Sequence, residues 1–282
     1  MLSNQLLHDH RYGGLAVDEL PGNDDRPPIV LLHGLTFDRS MWRPALRRLA
    51  AIDQDRRAVA IDLPGHGDSP DDTSYALADV VARIREVVAD ASIAAPVLVG
   101  HSASAATVAL YAATYPTRGF VEVEGTFLVE PFARLIQRLG PELRGDGFLG
   151  AWSQISGAVF RLDEVPDDVR SFVRETSRPR RDVVIGYWQD LLERTPEDLA
   201  AWIETGVSRV RGLGLPMRSV VGQEPSAAEV GWIADHLPEL QTLIWPGSGH
   251  FPHLAHPEAF AELLASTSTW AAGPLPTMIA GA

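Results

Sequence analysis

The chain has 282 residues, which is long enough for one large domain with an insertion. Its hydrophobic content of 45% and charged content of 22% are typical of a globular protein with a substantial core. The formal charge of −13 argues against nucleic acid or an anionic membrane as a partner, and the lack of cysteine excludes disulfides, thiolate metal sites and a cysteine nucleophile.

The beginning of the chain, "MLSNQLLHDHRYGG", lacks the basic start and the long apolar centre of a signal peptide. No apolar stretch of the sequence approaches the length that spans a bilayer. We therefore expect a cytoplasmic protein that binds neither membrane nor nucleic acid. Whether it forms a homodimer stays open.

In chain order, the segment 8–22 predicts an antiparallel pair of strands at one edge of a sheet. Short apolar runs, each ending in a glycine-containing turn, follow and are typical of strands buried on both faces. These runs are 28–34, 57–67, 95–101, 119–125, 216–222 and 240–250. Helical patterns lie between them at 41–50, 75–91, 103–116 and 256–267. This alternation predicts an α/β fold with a doubly wound, mostly parallel sheet.

The alternation of strands and helices fails over 126–212, which predicts a helical cap inserted into a core formed by 1–125 and 213–282. Helices are expected at 131–140, 148–160, 166–176, 182–192 and 195–210. The last has a clear start, since Thr195 can cap it and Pro196 takes its first position. Its apolar stripe is Leu199, Trp202, Ile203, Val207 and Val210. The tail, 271–282, is expected to be loosely held.

Four motifs occur in a fixed order: "LLHGLTFDRSMW" (31–42), "DLPGHGDS" (62–69), "GHSAS" (100–104) and "GSGHFPHLAHPE" (247–258). With the strand and helix pattern, they resemble the α/β-hydrolase superfamily, in its branch of capped serine esterases, lactonases and C–C hydrolases. The resemblance covers the core on both sides of the insertion and has no motif within it. It implies an α/β-hydrolase fold that needs no cofactor.

Ser102 fits the nucleophile elbow of that family, a sharp strand-to-helix turn that holds the side chain in the open. The usual pattern is G-x-S-x-G, and here Ser104 stands at the second glycine. Serine is still small, so the turn remains feasible. The alternative is a plain strand-to-helix turn with an incidental serine, which the three further motifs disfavour.

His250 is the expected base, because it follows the last predicted strand and so belongs at the carboxyl edge of the sheet. His253 and His256 follow at spacings of three, but no carboxylate or cysteine complements the three histidines. We therefore expect no metal site. The resemblance also implies an oxyanion hole formed by the backbone N–H groups of Leu35 and Ala103.

The acid of the triad has two candidates. The family usually carries it after the penultimate strand, where this chain has "VVGQEPS" (220–226), with Pro225 at the expected position and Glu224 one residue before it. Some branches instead take the acid from the end of the strand after the nucleophile helix, which here is Glu124. Either glutamate could reach His250, and the broken pattern at Pro225 favours Glu124.

Aromatic residues predict a pocket for a medium-sized, fairly apolar ester or lactone. Trp152 and Trp188 would contribute from the cap, and Phe37, Trp42 and Phe251 flank the catalytic loops. The predicted reaction is ester hydrolysis through an acyl-enzyme on Ser102.

Other interpretations of the sequence remain open. A C–C bond hydrolase or a cofactor-free perhydrolase would use the same triad. A non-catalytic protein of this fold that binds a small ligand is the alternative from another class, and the displaced acid motif and Ser104 keep it open.

Overall fold

The computed structural model describes residues 6–271 and 273, so most of the tail expected to be loosely held (271–282) lies outside the described residues. Described strands are β1 (His8–Tyr12), β2 (Leu15–Leu20), β3 (Ile29–Leu32), β4 (Ala58–Ile61), β5 (Val97–His101), β6 (Gly119–Val123), β7 (Met217–Val221) and β8 (Gln241–Ile244). They form one sheet in the order β1-β2-β4-β3-β5-β6-β7-β8.

The pairing of the strands follows the predicted topology. β1 pairs with β2, and β2 with β4, in antiparallel orientation, whereas the other neighbours are parallel. This confirms the predicted fold class, a mostly parallel sheet of the α/β-hydrolase type. The carboxyl ends of β5, β6, β7 and β8 therefore meet at one edge of the sheet.

Helices occur before β6 and after β7 as α1 (Arg43–Ile52), α2 (Leu77–Asp90), α3 (Ser104–Thr114), α11 (Ala227–His236), α12 (Pro252–Ala255) and α13 (Pro257–Ser266). Between β6 and β7 lie α4 (Glu130–Arg138), α5 (Gly140–Arg144), α6 (Phe148–Phe160), α7 (Asp167–Thr176), α8 (Arg181–Tyr187), α9 (Gln189–Glu193) and α10 (Pro196–Gly212). Two short 3-10 turns, Arg39–Trp42 and Thr267–Thr269, complete the set. We refer to 126–212 as the helical segment.

The core lies on both faces of the sheet, because side chains alternate along each buried strand. In β3, Ile29 and Leu31 belong to the apolar cluster that includes residues of α1 and α13. Val30 and Leu32 belong to the cluster with residues of α2 and α3 on the other face. A third cluster lies mainly in the helical segment and also includes Leu35.

Two details of the helical segment differ from the sequence-based expectation. One helix was expected over 182–192, but α8 ends at Tyr187 and α9 begins at Gln189. The helix breaks at Trp188, where φ is −99° and ψ is 13°, and the side chain is buried against Trp152 with ring centroids 5.6 Å apart. Trp202 was expected in the buried stripe of α10 but is 36% exposed.

No described helix is long and apolar enough to cross a membrane.

Candidate active site

Ser102 lies at a tight bend between β5 and α3. It has φ +55°, in the left-handed region, and its amide donates to the Val123 carbonyl at 2.8 Å. A Cβ at Gly100 would lie 2.4 Å from the Ser104 carbonyl oxygen, so the bend requires glycine at that position. The Ser102 side chain is consequently held at the carboxyl edge of the sheet, partly exposed.

Ser104 is buried at the position where the family pattern has its second glycine. Its hydroxyl donates to the His33 carbonyl at 2.6 Å, which joins the start of α3 to the loop after β3. That loop passes close to the elbow, because a Cβ at Gly34 would lie 2.5 Å from His101 Nδ1 and 3.4 Å from Ser102 Cβ. The serine is therefore accommodated by a hydrogen bond between the two loops.

His250 follows the turn after β8 and is buried, 5% exposed. Its Nε2 lies 2.8 Å from Ser102 Oγ. The backbone of His250 is held by His101, whose Nε2 donates to the His250 carbonyl at 2.8 Å. The Phe160 ring stacks on the His250 imidazole, with centroids 5.9 Å apart and planes inclined by 16°.

Glu124 follows directly after β6, also with φ +55°, and its Oε2 lies 3.0 Å from His250 Nδ1. An ionised carboxylate can only accept, so Nδ1 carries the proton and Nε2 is left to accept from Ser102. Burial alone would raise the pKa of Glu124, but the hydrogen bond and charge of His250, the Gly222 amide and Arg161 outweigh it and hold the pKa below its usual value.

The structure corrects the Glu224 alternative. Glu224 is exposed in the turn after β7 and makes no hydrogen bond to His250 within the described part of the chain. The backbone of this turn takes part instead, since the Gly222 amide donates to Glu124 Oε1. A Cβ at Gly222 would lie 2.2 Å from the Gly249 carbonyl oxygen. The turn therefore approaches the loop that carries His250 too closely for a side chain at position 222.

Glu122 shares β6 with the acid but lies inside the sheet. Burial raises its pKa to about 7, although hydrogen bonds from Ser219 and the Gly125 amide oppose the rise. The Gly125 amide donates to Glu122 Oε2 at 2.6 Å. Glu122 does not contact the imidazole among the described hydrogen bonds and is a buried structural carboxyl.

Arg161 is a residue of the site that sequence reasoning missed. Its Nη2 donates to Glu124 Oε2 at 2.9 Å and to the Gly249 carbonyl at 2.7 Å. It stands at the end of α6, in the helical segment, where no motif distinguishes it from the other arginines. The only signal in the sequence is its place directly after the apolar helix 148–160.

Two histidines support the loop that contains Leu35. His33 Nδ1 donates to the Gly34 carbonyl at 2.8 Å, and His33 Nε2 accepts from the Leu63 amide at 3.0 Å. His66 Nε2 accepts from the Thr36 amide at 3.2 Å. Within the described residues, the backbone amides of Leu35 and Ala103 donate to no protein acceptor. Both are therefore free to bind an oxyanion, and that role remains a prediction.

Three of the five residues expected to line the substrate pocket are core residues instead. Trp42 is fully buried beside His253 and stacked on Phe260, with ring centroids 4.5 Å and 5.8 Å away, because the 3-10 turn that contains it points it toward α13. Phe251 is fully buried and Phe37 is 3% exposed, and their rings pack edge to face at 5.6 Å. These residues offer almost no surface to a substrate.

The two tryptophans of the helical segment are also buried, but in a different apolar cluster. Trp152 and Trp188 are 8% and 6% exposed and belong to the apolar cluster that contains Leu35. Ala103 packs against the same cluster. Both tryptophans therefore lie in the apolar surroundings of the two candidate oxyanion residues.

A serine on a strand-to-helix elbow, bonded to a histidine from a later loop and through it to a carboxylate, defines the serine hydrolase class on an α/β sheet. Residues 29–263 match the alpha/beta hydrolase family, and the chain belongs to that family. Its family membership therefore identifies it as a hydrolase.

A relative of known class agrees with this assignment. The chain is 34% identical to the pimeloyl-[acyl-carrier protein] methyl ester esterase of Xanthomonas campestris pv. campestris over 260 residues, which cover 84% of this chain and 93% of that protein. This similarity supports the carboxylic ester type of hydrolase within the family.

Solved structures share the fold. Haloalkane dehalogenase DbeA from Bradyrhizobium elkani USDA94 superposes with a TM-score of 0.63 at 21% identity, covering 92% of this chain and 96% of that one. The thioesterase domain from the curacin biosynthetic pathway has a TM-score of 0.61 at 18% identity, covering 92% and 98%.

Proposed function

We propose that the protein is a serine esterase that hydrolyses a medium-sized, fairly apolar ester or lactone through an acyl-enzyme. The observation that carries the proposal is the unbroken chain of hydrogen bonds from Glu124 through His250 to Ser102, at 3.0 Å and 2.8 Å. The similarity to a methyl ester esterase supports an ester as the substrate class.

In the proposed mechanism, His250 Nε2 takes the proton of Ser102 as Oγ attacks the acyl carbon. The amides of Leu35 and Ala103 hold the oxyanion, and the imidazolium then protonates the departing alcohol. Water activated by His250 hydrolyses the acyl-enzyme. Glu124 keeps the imidazole in the correct tautomer and stabilises its charged form.

The preference for an apolar substrate follows from what surrounds the reacting atoms. The Phe160 ring lies nearly parallel to the His250 imidazole with centroids 5.9 Å apart, and it also packs edge to face on Trp152 at 6.2 Å. Trp152 in turn packs against Trp188. An acyl or alkyl chain beside Ser102 would lie in these apolar surroundings, which would stabilise it by burying its apolar surface.

The test compares wild type with Ser102→Ala on p-nitrophenyl esters of graded chain length and on a serine-reactive phosphonate. We expect the wild type to hydrolyse the esters, mid-length chains faster than acetate, and to be labelled. Ser102→Ala should lose the labelling and nearly all turnover, because it lacks the nucleophile.

Ser153→Ala, which changes an exposed serine of α6 outside the triad, is the matched control and should behave as wild type. Undiminished labelling of Ser102→Ala would contradict the proposal. A wild type that neither turns over nor labels would instead favour the ligand-binding alternative.

A further inference from the structure

The Arg161 guanidinium joins the two chain segments that carry the acid and the base. Its Nη2 has two N–H groups, and it donates to Glu124 Oε2 at 2.9 Å and to the Gly249 carbonyl at 2.7 Å. Gly249 directly precedes His250. One nitrogen of the helical segment therefore connects the end of β6 with the loop after β8.

The backbone around Arg161 also packs closely against the loop after β8. The His250 amide donates to the Phe160 carbonyl at 3.2 Å. A Cβ at Gly249 would lie 2.7 Å from the Arg161 carbonyl oxygen, so the two backbones approach as closely as glycine permits. Arg161 itself has φ +47° at the end of α6. The end of α6 therefore contacts the loop after β8, which carries His250, through both its backbone and the Arg161 side chain.

The ion pair between Arg161 and Glu124 is largely removed from water. The two side chains are 15% and 10% exposed. Arg161 bonds Oε2, the oxygen that also accepts from His250 Nδ1, while the Gly222 amide bonds Oε1. Removing the guanidinium would leave a buried carboxylate with one charge-assisted partner fewer and freer to turn from the imidazole.

From these contacts we propose that Arg161 is a positioning residue, which fixes the Glu124 carboxylate against His250 so that seating the helical segment on the sheet completes the triad. The proposal rests on the proposed esterase function. The helical segment then supplies a contact on which the geometry of the acid depends.

The kinetic test compares Arg161→Gln, Arg161→Lys and Arg161→Ala with Arg134→Gln, which alters an exposed arginine of the same segment that pairs with Glu130. We expect Arg161→Gln to lower kcat by about 10²-fold, since a small misplacement of a catalytic group costs that much, with little change in KM. Arg161→Lys should retain more of kcat, and added guanidinium ion should restore part of kcat to Arg161→Ala.

The kinetic results can overturn the proposal in three ways. A kcat for Arg161→Gln equal to that of Arg134→Gln contradicts it. So does a loss confined to KM, or a loss that neither lysine nor guanidinium restores, because these would indicate a substrate-binding or merely structural role. Thermal unfolding of each variant identifies those that fail to fold, and Arg161→Lys then carries the comparison.

A second measurement does not depend on activity. The His250 Nδ1 proton shared with Glu124 should give a proton resonance far downfield, identified by its loss in Glu124→Gln. We expect Arg161→Gln to shift or broaden this resonance and Arg134→Gln to leave it unchanged. An unchanged resonance in Arg161→Gln contradicts the positioning role. If wild type lacks turnover and labelling, the esterase proposal fails, and this resonance still decides the role of Arg161.

Discussion

Ser102 and Glu124 share an unusual backbone conformation, with φ +55° at the ends of neighbouring strands. Such a conformation costs a residue other than glycine on the order of 1 to 3 kcal/mol, so it persists only where surrounding contacts impose it. Here the Ser102 amide bonds Val123 and the Glu124 amide bonds the Val220 carbonyl at 2.9 Å. The sheet thus turns both side chains toward the imidazole.

At the scale of residues, the identity of the acid is the first prediction. Glu124→Gln should lower kcat by roughly 10⁴-fold, because glutamine no longer favours the tautomer with the proton on His250 Nδ1. Glu224→Gln is the matched control and should keep wild-type kcat, since Glu224 is exposed in a turn. Steady-state kinetics on one ester decide between them, and equal losses in the two variants would contradict the assignment.

The sequence could predict Ser102 and His250 because each is set in a motif with a local mechanism, an elbow or a strand-end loop. It favoured Glu124 over Glu224 only through the broken pattern at Pro225, because both glutamates follow strands that end at the same edge of the sheet. The decision depends on φ at Glu124 and on the close approach of Gly222 to Gly249. Arg161 was missed for a related reason, since its contact joins positions 37 residues apart without a motif.

At the scale of elements, the contact between α3 and the loop after β3 yields a prediction for Ser104. Ser104→Ala removes the hydrogen bond to the His33 carbonyl and should lower the free energy of unfolding by about 1 kcal/mol. It should also reduce kcat, by less than the ~10²-fold that follows loss of an oxyanion donor, because the amide of Leu35 stays present but is held less firmly.

Thr114→Ala is the control for Ser104→Ala, since it removes an exposed hydroxyl from the same helix. Urea unfolding and ester kinetics on both variants test the coupling. The same stability and the same kcat in Ser104→Ala and Thr114→Ala would contradict this coupling.

Strands buried on both faces were the easiest to predict, since each of the six unbroken apolar runs contains one of the strands β3 to β8. The helical segment was harder to predict, because its helices bury apolar side chains against one another as well as against the sheet. Trp188 shows the difficulty: the helical pattern continues from 182 to 192, yet the helix breaks at Trp188, whose ring packs against Trp152. Trp42 shows the same limit of sequence-based prediction, because an aromatic residue near a motif can lie either in the core or in a substrate pocket.

At the scale of the whole molecule, buried neutral histidines make stability depend on pH. Burial, with the nearby charge of His250, lowers the pKa of His253 to about 3. Burial likewise lowers the pKa of His66 to about 3 and lowers those of His33 and His101. From pH 6.5 down to about 3, the unfolded chain therefore binds protons that the folded chain does not, and stability falls as pH falls.

His253→Phe tests this dependence. It should reduce the slope of unfolding free energy against pH, between about pH 4 and 6, by up to about 1.4 kcal/mol per pH unit. Phenylalanine should be tolerated, because neither ring nitrogen of His253 has a hydrogen-bond partner within the described residues. His8→Gln, in exposed β1, should leave the slope unchanged. An unaltered slope in His253→Phe, measured by urea unfolding, would refute the linkage.

The central claim is that Ser102 carries the acyl group during turnover. Rapid acid quench of the protein during hydrolysis of a p-nitrophenyl ester, followed by peptide mass spectrometry, tests it most directly. We predict an acyl adduct on Ser102 that forms before steady state, disappears when substrate is exhausted and is missing in Ser102→Ala. Turnover with no adduct, or with the acyl group on another residue, would contradict the account.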